Sequence, residues 1–249
     1  MAKKAIKKAV ETPVEPSDVV LMCMWRNDAD KAMPERLSAL FSKQGVTRWV
    51  FVVGNSDDAT EDILRAVASD RNDVTVIRYD SPVTGSDPDN RLRRLSETAN
   101  AGFDDVRDTD LYWMIHESDL RSADDIVPAL MTVQDGNRAV AGMVWLGEDE
   151  RVFYDSWGYT AADGGHFVNQ PPHHPTIDRN NPFEVRTAGS VLLFPAKHLR
   201  EGLRLTWGGM RELCLGLKSR GVSVWVNPHV NIVQPVALWE SSSHASWKD

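Results

Sequence analysis

The sequence of 249 residues lacks several features that mark common protein classes. It has only two cysteines, Cys23 and Cys214, which excludes a disulfide framework and a zinc site built from CxxC pairs. Both lie in apolar runs and are expected to be buried thiols in a reducing compartment. No uninterrupted apolar run approaches the roughly 20 residues that span a bilayer, so a membrane-embedded protein is excluded as well.

The sequence also has fewer basic than acidic residues. The chain has 28 Lys and Arg against 36 Asp and Glu, for a net charge of −8. Because four of the lysines lie in the first eight residues, the rest is more acidic still, and non-specific nucleic-acid binding is disfavoured. The Lys-rich segment 1–17 is predicted to be a disordered tail, and segment 241–249 a flexible C-terminus. Since the tail has no apolar region typical of a secretory signal, we expect a cytoplasmic protein.

Hydrophobic patterning predicts one α/β domain over residues 18–240. In residues 18–135, short apolar runs typical of strands buried on both faces alternate with helical patterns. This alternation predicts an open, mostly parallel sheet flanked by helices. In residues 136–240, a strand at 139–145 is followed by about forty residues rich in Gly, Pro, Asn, His and aromatic residues, a length that is usually functional or disordered.

The sharpest chemical signal is a pair of carboxylates, Glu117 and Asp119, directly after a predicted buried strand at 111–115. In open α/β sheets, ligands bind outside the carboxyl ends of the strands, so both residues should reach a crevice. Residues two apart in an extended chain point the same way, and their oxygens suit a hard divalent cation. The pair therefore predicts a metal site, although a solvated Glu117 and an Asp119 that caps the next helix remain an alternative.

Segment 115–119 resembles the end-of-strand metal motif of GT-A glycosyltransferases, usually written D-x-D. Three other segments resemble the family-2-like and mannan-polymerase-like branch, in the same order along the chain. Segment 52–60 is similar to its V-D-D-G-S-T-D-G-T turn, segment 188–194 to a strand further on, and segment 212–217 to its D-L-C-L-R-L helix. The resemblance runs from residue 18 to about residue 235.

The resemblance implies a GT-A fold with two halves. Residues 18–135 would form a Rossmann-like nucleotide-sugar half, and residues 136–240 an acceptor half. It also implies a nucleotide-sugar donor, Mn²⁺ or Mg²⁺ as the cofactor, and transfer of a hexosyl or related sugar.

The donor site departs from the family pattern, because the paired acids that bind the nucleotide base fall on Val53 and Gly54. Base recognition is then expected from the loops after the first two strands. Diphosphate binding is expected from arginines of the helix before the metal strand, Arg94 above all, unless these form a solvated basic face. The expected donor-binding residues are Trp25, Arg26, Asn27, Asn55, Ser56, Asp58, Arg91, Arg94, Glu117 and Ser118.

The family's catalytic acid also falls on a residue that cannot take a proton, Met210. The nearest carboxylate is Glu212, which we expect to be the base of an inverting reaction; a base from the long loop or a retaining reaction are the alternatives. Asp119 is expected to act with Glu212 at the reaction centre. The family's metal-binding histidine falls near Gln234, and His229 is the closest histidine. The predicted metal ligands are therefore Glu117, Asp119 and His229.

The long loop carries aromatic residues and histidines that suit stacking on sugar rings or bases, and glycines that allow it to open and close. We expect an acceptor-binding loop that is mobile without substrate, with a static surface insertion as the alternative. The expected acceptor-binding residues, which include one tryptophan ahead of the last helix, are Trp157, Tyr159, His173, His174 and Trp207.

Together these features predict a metal-dependent glycosyltransferase that moves a sugar from a nucleotide-sugar donor to a hydroxyl acceptor. The acceptor stays open between a glycan, a small molecule and a modified nucleic acid, such as DNA with a hydroxymethylated base. Two rival functions remain. A nucleotidyltransferase is disfavoured because no Gly-rich phosphate loop with a basic residue follows the first strand. A degenerate GT-A domain that binds a glycan or a partner is the other.

Overall fold

The computed structural model describes residues 18–85, 87–147 and 152–236. The predicted tail, 1–17, and the predicted flexible C-terminus, 241–249, lie outside the described residues. In chain order the elements are β1 (Val19–Trp25), α1 (Met33–Phe41), β2 (Val46–Gly54), α2 (Thr60–Ser69), β3 (Val74–Tyr79), α3 (Pro88–Phe103), β4 (Tyr112–His116), β5 (Arg121–Ser122), α4 (Ile126–Met131), β6 (Arg138–Leu146), β7 (Thr160–Ala161), β8 (Phe183–Thr187), β9 (Val191–Pro195), α5 (Lys197–Arg200), α6 (Met210–Lys218) and β10 (Ser223–Gln234).

The strands form one ten-stranded sheet in the order β3-β2-β1-β4-β9-β6-β10-β8-β7, with β5 paired to β10. β1 runs parallel to β2 and β4, β2 to β3, and β6 to β10. β9 pairs antiparallel with both β4 and β6, and β8 with β10. The predicted α/β class, an open and mostly parallel sheet flanked by helices, is confirmed. The apolar runs explain this arrangement, because β1, β2 and β4 are buried along most of their length.

Hydrophobic cores cover both faces of the sheet. On one face, α3 and α6 pack against the strands through Phe103 and Leu213. On the other face, α1, α2 and α4 pack through Leu37, Leu64 and Leu130. Side chains of one strand point alternately to the two faces, so each strand contributes to both cores. Among the described residues, no helix has the length and apolar character needed to cross a membrane.

Helix α3 begins where the sequence gives a strong start signal. Asp87 is its N-cap and accepts a hydrogen bond from the backbone N–H of Asn90 at 3.0 Å, and a proline follows at once. Further along the helix, Ser96 Oγ donates to the carbonyl of Thr206 at 2.6 Å. α3 therefore fixes the segment of chain that leads into α6.

The segment between β6 and β8 is built around a buried aromatic cluster. Phe153, Tyr159, Phe167 and His173 are all buried, and Phe153 packs edge-on against Trp145 of β6 with ring centroids 5.7 Å apart. The Phe153 and Tyr159 rings are 5.0 Å apart, also edge to face, a favourable geometry for aromatic pairs. This segment thus buries a substantial apolar area, although its Gly, Pro and His content is typical of an exposed loop. Of the residues that suggested an exposed binding loop, Tyr159 and His173 form part of the core, whereas Trp157 is exposed.

The strand order creates a crevice at the carboxyl edge of the sheet. β1, β2, β3 and β4 run parallel and end at this edge, and the order in which the chain adds strands reverses between β1 and β4. Ligands of open α/β sheets bind at such a switch point. The segments after β1 and β4 are therefore where a binding site is expected.

Candidate active site

Glu117 and Asp119 leave the carboxyl end of β4, at the edge where the sequence predicted a site. Asp119 Oδ2 accepts a hydrogen bond from Gln234 Nε2, the last residue of β10, at 3.0 Å. The N-cap of α4 is Asp125, so the alternative in which Asp119 caps that helix is wrong. Asp119 is instead hydrogen-bonded to the last residue of β10.

Glu117 lies among like charges. Burial, together with the negative charges of Asp119 and Asp155, raises the pKa of Glu117 to about 8, whereas the Arg91 guanidinium and the Ser190 hydroxyl act in the opposite direction. Glu117 is half-buried and shares its surroundings with two other carboxylates, which does not fit the alternative of a freely solvated Glu117. Partly buried carboxylates held close together are frequent in functional sites, because a proton or a cation must compensate their mutual repulsion.

A third carboxylate, Asp155, belongs to the same site and was not predicted from the sequence. Its Oδ2 accepts a hydrogen bond from Ser190 Oγ at 2.7 Å, and its Oδ1 accepts one from the backbone N–H of Gly158 at 3.1 Å. Burial raises the pKa of Asp155 to about 6 despite these bonds. A Cβ at Gly158 or at Gly189 would lie 2.6 Å from a carboxylate oxygen of Asp155, so both glycines are needed where they stand. The two glycines are the feature of the sequence that is connected with this site, because each lets the backbone approach the Asp155 carboxylate.

Tyr154 and Arg91 lie beside the three acids. Burial raises the pKa of Tyr154, and the charges of Glu117 and its acidic neighbours raise it further, so the hydroxyl keeps its proton at neutral pH. Arg91, in the first turn of α3, opposes both this shift and that of Glu117, which places its positive charge at the site. Arg94 instead donates to the backbone carbonyl of Gly85 at 2.5 Å. The charge of Arg91 therefore acts on the acids, whereas Arg94 binds the loop before α3, and its role in donor binding stays a prediction.

Gln234 stands where the resemblance puts a metal-binding histidine. It is buried, and its Oε1 has no hydrogen-bond partner. His229 is exposed, and its Nε2 contacts the backbone carbonyl of Asn180 at 3.0 Å. Within residues 18–85, 87–147 and 152–236, no group of three or more His, Cys, Asp and Glu side chains could hold a metal ion. The predicted set of Glu117, Asp119 and His229 is therefore wrong in its third member, because β10 brings Gln234 to Asp119.

Asp28, after β1, is another residue that sequence reasoning missed. It forms an ion pair with Arg36 at 3.2 Å and accepts a hydrogen bond from Ser118 Oγ at 3.4 Å. Burial raises the pKa of Asp28, and the Arg36 guanidinium opposes that shift. Asp28 and the predicted donor residue Ser118 thus join the segments after β1 and β4 across the switch point.

The predicted donor residues of the first two loops are largely engaged with one another. The backbone N–H of Asn27 donates to Ser56 Oγ at 2.8 Å. The backbone N–H of Ala29, in the same loop as Asn27, donates to Asp58 Oδ2 at 3.0 Å. The Asn55 side chain exchanges two hydrogen bonds with the backbone of Ser81 after β3. These residues shape the crevice by linking three loops, and their side chains are already partly used in doing so.

Trp25 and Arg26 are neighbours with opposite environments. Trp25 is 1% exposed, with Phe51 at a ring distance of 5.8 Å and the Arg36 guanidinium 5.8 Å from its ring centroid. A nucleotide base cannot stack on a ring covered in this way, so any donor contact at Trp25 would come from its backbone, and that expectation stays a prediction. Arg26 is exposed and remains a candidate.

Two of the predicted acceptor residues are open to solvent. Trp157 is 88% exposed and Trp207 is 69% exposed. The Arg93 guanidinium lies over one face of the Trp207 ring, 5.0 Å from its centroid. Both indoles therefore present a flat face that a ligand could cover.

The other three predicted acceptor residues are packed inside the protein. The Tyr159 hydroxyl donates to the carbonyl of Gly142 at 2.5 Å, and the buried His173 contacts the carbonyl of Val168 through Nδ1 at 3.1 Å. His174 stacks on a neighbouring aromatic ring with centroids 5.5 Å apart. The acceptor-binding expectation is therefore wrong for Tyr159 and His173, and His174 serves mainly to pack the same cluster.

Glu212 lies in the first turn of α6. Its side chain folds over Gly208, where a Cβ would come within 2.4 Å of Glu212 Cγ. Gly209, with φ +60, precedes the helix, and a Cβ placed there would lie 3.6 Å from Leu92 of α3. The start of α6 thus packs beside the first turn of α3, which carries Arg91.

The sequence matches no protein-family model, and no curated protein is recognisably similar to it. Solved structures do match its fold. The structure of GalNAc-T7 with UDP, GalNAc and Mn²⁺ superposes with a TM-score of 0.61 at 11% identity, covering 88% of this chain and 43% of that one. The mannosyltransferase PcManGT from Pyrobaculum calidifontis, in complex with GDP-Man and Mn²⁺, gives a TM-score of 0.56 at 14% identity, with 91% and 60% covered. The fold is that of GT-A glycosyltransferases.

A third match concerns another kind of enzyme on a related sheet. The 4-diphosphocytidyl-2C-methyl-D-erythritol synthase from Anaerococcus prevotii superposes with a TM-score of 0.50 at 9% identity, covering 85% of this chain and 87% of that one. The chain spans less than two thirds of the first two proteins, 43% and 60% of their lengths. At these identities the likeness concerns the fold.

Proposed function

We propose that this protein is a metal-dependent glycosyltransferase that moves a sugar from a nucleotide-sugar donor to a hydroxyl group. The observation that carries the proposal is the half-buried carboxylate pair Glu117 and Asp119, beside Gln234, at the carboxyl edge of a GT-A sheet. Two structures with this fold were solved with Mn²⁺ together with a nucleotide or a nucleotide sugar. That likeness supports the same class of donor here.

The side chains of the site fit a hard divalent cation. Glu117 and Asp119 supply carboxylate oxygens, and the buried, unpartnered Oε1 of Gln234 supplies a neutral oxygen nearby. Mn²⁺ and Mg²⁺ suit all-oxygen ligands and can keep waters and phosphates in their remaining positions. When bound, such a cation neutralises negative charge on the departing nucleoside diphosphate.

Other residues of the site are suited to the donor. Arg91 brings a positive charge that can bind the diphosphate, and the protonated hydroxyl of Tyr154 can donate a hydrogen bond to a phosphate oxygen. The nucleoside would lie in the crevice between the segments after β1 and β4, which Ser118 and Asp28 join. Arg26, exposed at the same edge, is available to contact it.

On the acceptor side, Glu212 is our candidate for the base that takes the proton of the acceptor hydroxyl. Asp155 is the weaker candidate, because its carboxylate already accepts hydrogen bonds from Ser190 Oγ and from the backbone N–H of Gly158. Trp157 and Trp207 offer exposed faces of the kind that stack on sugar rings. Because the chain has a net charge of −8, a polyanion such as DNA would be repelled, and a neutral glycan or glycoside is the acceptor we propose.

The test is a panel of nucleotide sugars assayed for release of the nucleoside diphosphate and for sugar transfer, with and without Mn²⁺. Neutral glycans and hydroxymethylated DNA serve as separate acceptors. We expect Mn²⁺-dependent transfer that falls at least about 100-fold in Glu117→Gln and Asp119→Asn, because even the loss of groups around a metal ligand costs about 10–100-fold.

The matched control is Asp70→Asn, which removes an exposed carboxylate at the far end of α2 and should leave transfer unchanged. Release of pyrophosphate from a nucleoside triphosphate, with no sugar transfer, would point to a nucleotidyltransferase instead. If calorimetry finds no Mn²⁺-dependent binding of any nucleoside diphosphate, the proposed function is wrong.

A further inference from the structure

Ser190 has an unusual backbone for a residue with a Cβ. Its φ is +58, in the left-handed region that favours glycine, although it sits directly after Gly189. In the antiparallel pairing of β4 with β9, His116 lies opposite Val191, so the next step of the register puts Glu117 opposite Ser190. A side chain kept in a disfavoured conformation beside a site suggests that its chemistry is needed there.

The hydroxyl of Ser190 lies between two carboxylates. It donates to Asp155 Oδ2 at 2.7 Å, and because Ser190 also interacts with Glu117 across the β4–β9 register, the same proton can turn to Glu117 instead. The Asp155 carboxylate is held in place on two sides. The backbone N–H of Gly158 donates to its other oxygen, and Gly158 and Gly189 pack so closely against it that a Cβ on either would lie 2.6 Å from one of its oxygens. The Ser190 hydroxyl is therefore bound to Asp155 on one side and lies opposite Glu117 on the other.

We propose that Ser190, anchored on Asp155, is a positioning residue that holds the Glu117 carboxylate in the orientation in which it binds the divalent cation. This inference rests on the proposed function, since it assumes that Glu117 binds a cation. Neither Ser190 nor Asp155 needs to touch the cation or the substrate.

The direction of one proton makes the inference specific. A serine hydroxyl has a single proton, so it can donate to only one of the two carboxylates at a time. An amide at position 155 can donate to Ser190 Oγ, which turns the hydroxyl proton toward Glu117. Alanine at position 155 has no group that can hydrogen-bond to Ser190 Oγ, so it does not direct the hydroxyl proton. The two substitutions remove the same negative charge, so any difference between them reports hydrogen bonding rather than electrostatics.

The experiment is a titration with Mn²⁺ followed by electron paramagnetic resonance, first with Mn²⁺ alone and then with UDP present. The variants are Ser190→Ala, Ser190→Gly, Asp155→Asn and Asp155→Ala, and the control is Ser156→Ala in the same loop. Thermal melting checks that each variant folds. Ser190→Gly matters because it removes the hydroxyl while making the left-handed backbone easy to adopt.

We expect both Ser190 variants to bind Mn²⁺ about tenfold more weakly, about 1.4 kcal/mol, with Ser156→Ala unchanged. Asp155→Asn should bind Mn²⁺ about tenfold more tightly than Asp155→Ala. In the transfer assay, the Ser190 variants should need more Mn²⁺ but recover kcat when it is saturating.

Wild-type affinity in both Ser190 variants would overturn the inference and leave the proposed function standing, as would equal affinities of the two Asp155 variants. If the wild-type protein itself binds no Mn²⁺, with or without UDP, the proposed function fails first and the inference with it. Loss of affinity in Ser190→Ala alone, restored in Ser190→Gly, would show that backbone strain and not the hydroxyl is responsible, and would also overturn the inference.

Discussion

The pKa values of acidic residues shift in opposite directions inside and outside the site. Burial is the main cause that raises the pKa of Glu117 to about 8 and that of Asp155 to about 6. At the surface, the hydrogen bond from Arg78 holds the pKa of Asp80 below its ordinary value. A desolvated carboxylate without a cationic partner is unfavourable by itself, so its presence is more readily explained by binding than by stability.

The shift at Asp155 predicts how stability depends on pH. The folded-state pKa of about 6 exceeds the ordinary value of 3.8, so the folded protein holds a proton there that the unfolded chain has released. Folding stability from this group therefore falls as pH rises from about 4 to about 6. Asp155→Asn removes the titration. We expect its free energy of unfolding, relative to wild type, to rise across this range by up to about 3 kcal/mol.

Urea unfolding at several pH values between 4 and 8, with divalent cations chelated, measures this difference. The comparison with wild type cancels the contributions of titrating groups that do not interact with Asp155; Glu117 does interact with it, and its pKa of about 8 lies above the range from pH 4 to pH 6 in which the difference is read. A constant difference across the range would mean that Asp155 titrates normally in the folded protein.

At the scale of elements, two turns meet around Asp155. Gly158 and Gly189 come from segments far apart in sequence, yet each approaches the same carboxylate so closely that a Cβ would lie 2.6 Å from one of its oxygens. Gly189→Ala should therefore destabilise the protein by about 1–3 kcal/mol, as overpacking of a buried site does. In an Asp155→Ala background the obstacle is gone, and most of that cost should vanish.

A double-mutant cycle by urea unfolding tests this coupling. If Gly189→Ala costs the same with and without Asp155, the glycine serves the backbone and not the carboxylate.

The segment between β6 and β8 supplies a second element-scale prediction, because it combines a buried and an exposed aromatic residue four positions apart. Phe153→Ala should cost about 3–5 kcal/mol of stability, since Phe153 is the centre of the aromatic cluster. Trp157→Ala should cost less than about 0.5 kcal/mol, since its side chain is 88% exposed. In the transfer assay, we expect Trp157→Ala to raise the KM for the acceptor while kcat changes little.

Thermal melting and acceptor kinetics on the two variants check both statements. An unchanged acceptor KM in Trp157→Ala would remove Trp157 from the acceptor site. A small effect of Phe153→Ala on stability would mean that the segment is loosely packed, as the sequence first suggested.

At the scale of the whole molecule, the sheet accounts for the location of the site. Its parallel strands end at one edge, and the reversal of strand order between β1 and β4 opens the crevice where Glu117 and Asp119 emerge. The antiparallel strand β9 then enters this edge from the other half, which brings Ser190 to Glu117. One site is thus assembled from both halves of the chain.

The sequence by itself determined the sheet and the position of its metal-binding candidates. Continuous apolar runs predict buried parallel strands, and a doublet such as Glu117 and Asp119 after one of them predicts carboxylates at the sheet edge. These inferences succeed because they depend on local periodicity and on which end of a strand a residue follows. Both are properties of a short stretch of chain.

Only the tertiary structure decided what surrounds that doublet. Asp155, Ser190 and Gln234 reach Glu117 and Asp119 through pairings between distant strands, which no local pattern encodes. The same reason explains the errors at Tyr159 and His173. The composition of the surrounding segment is typical of an exposed loop. Both side chains nevertheless pack into the apolar cluster beside β6, because burying aromatic area is more favourable than leaving it exposed.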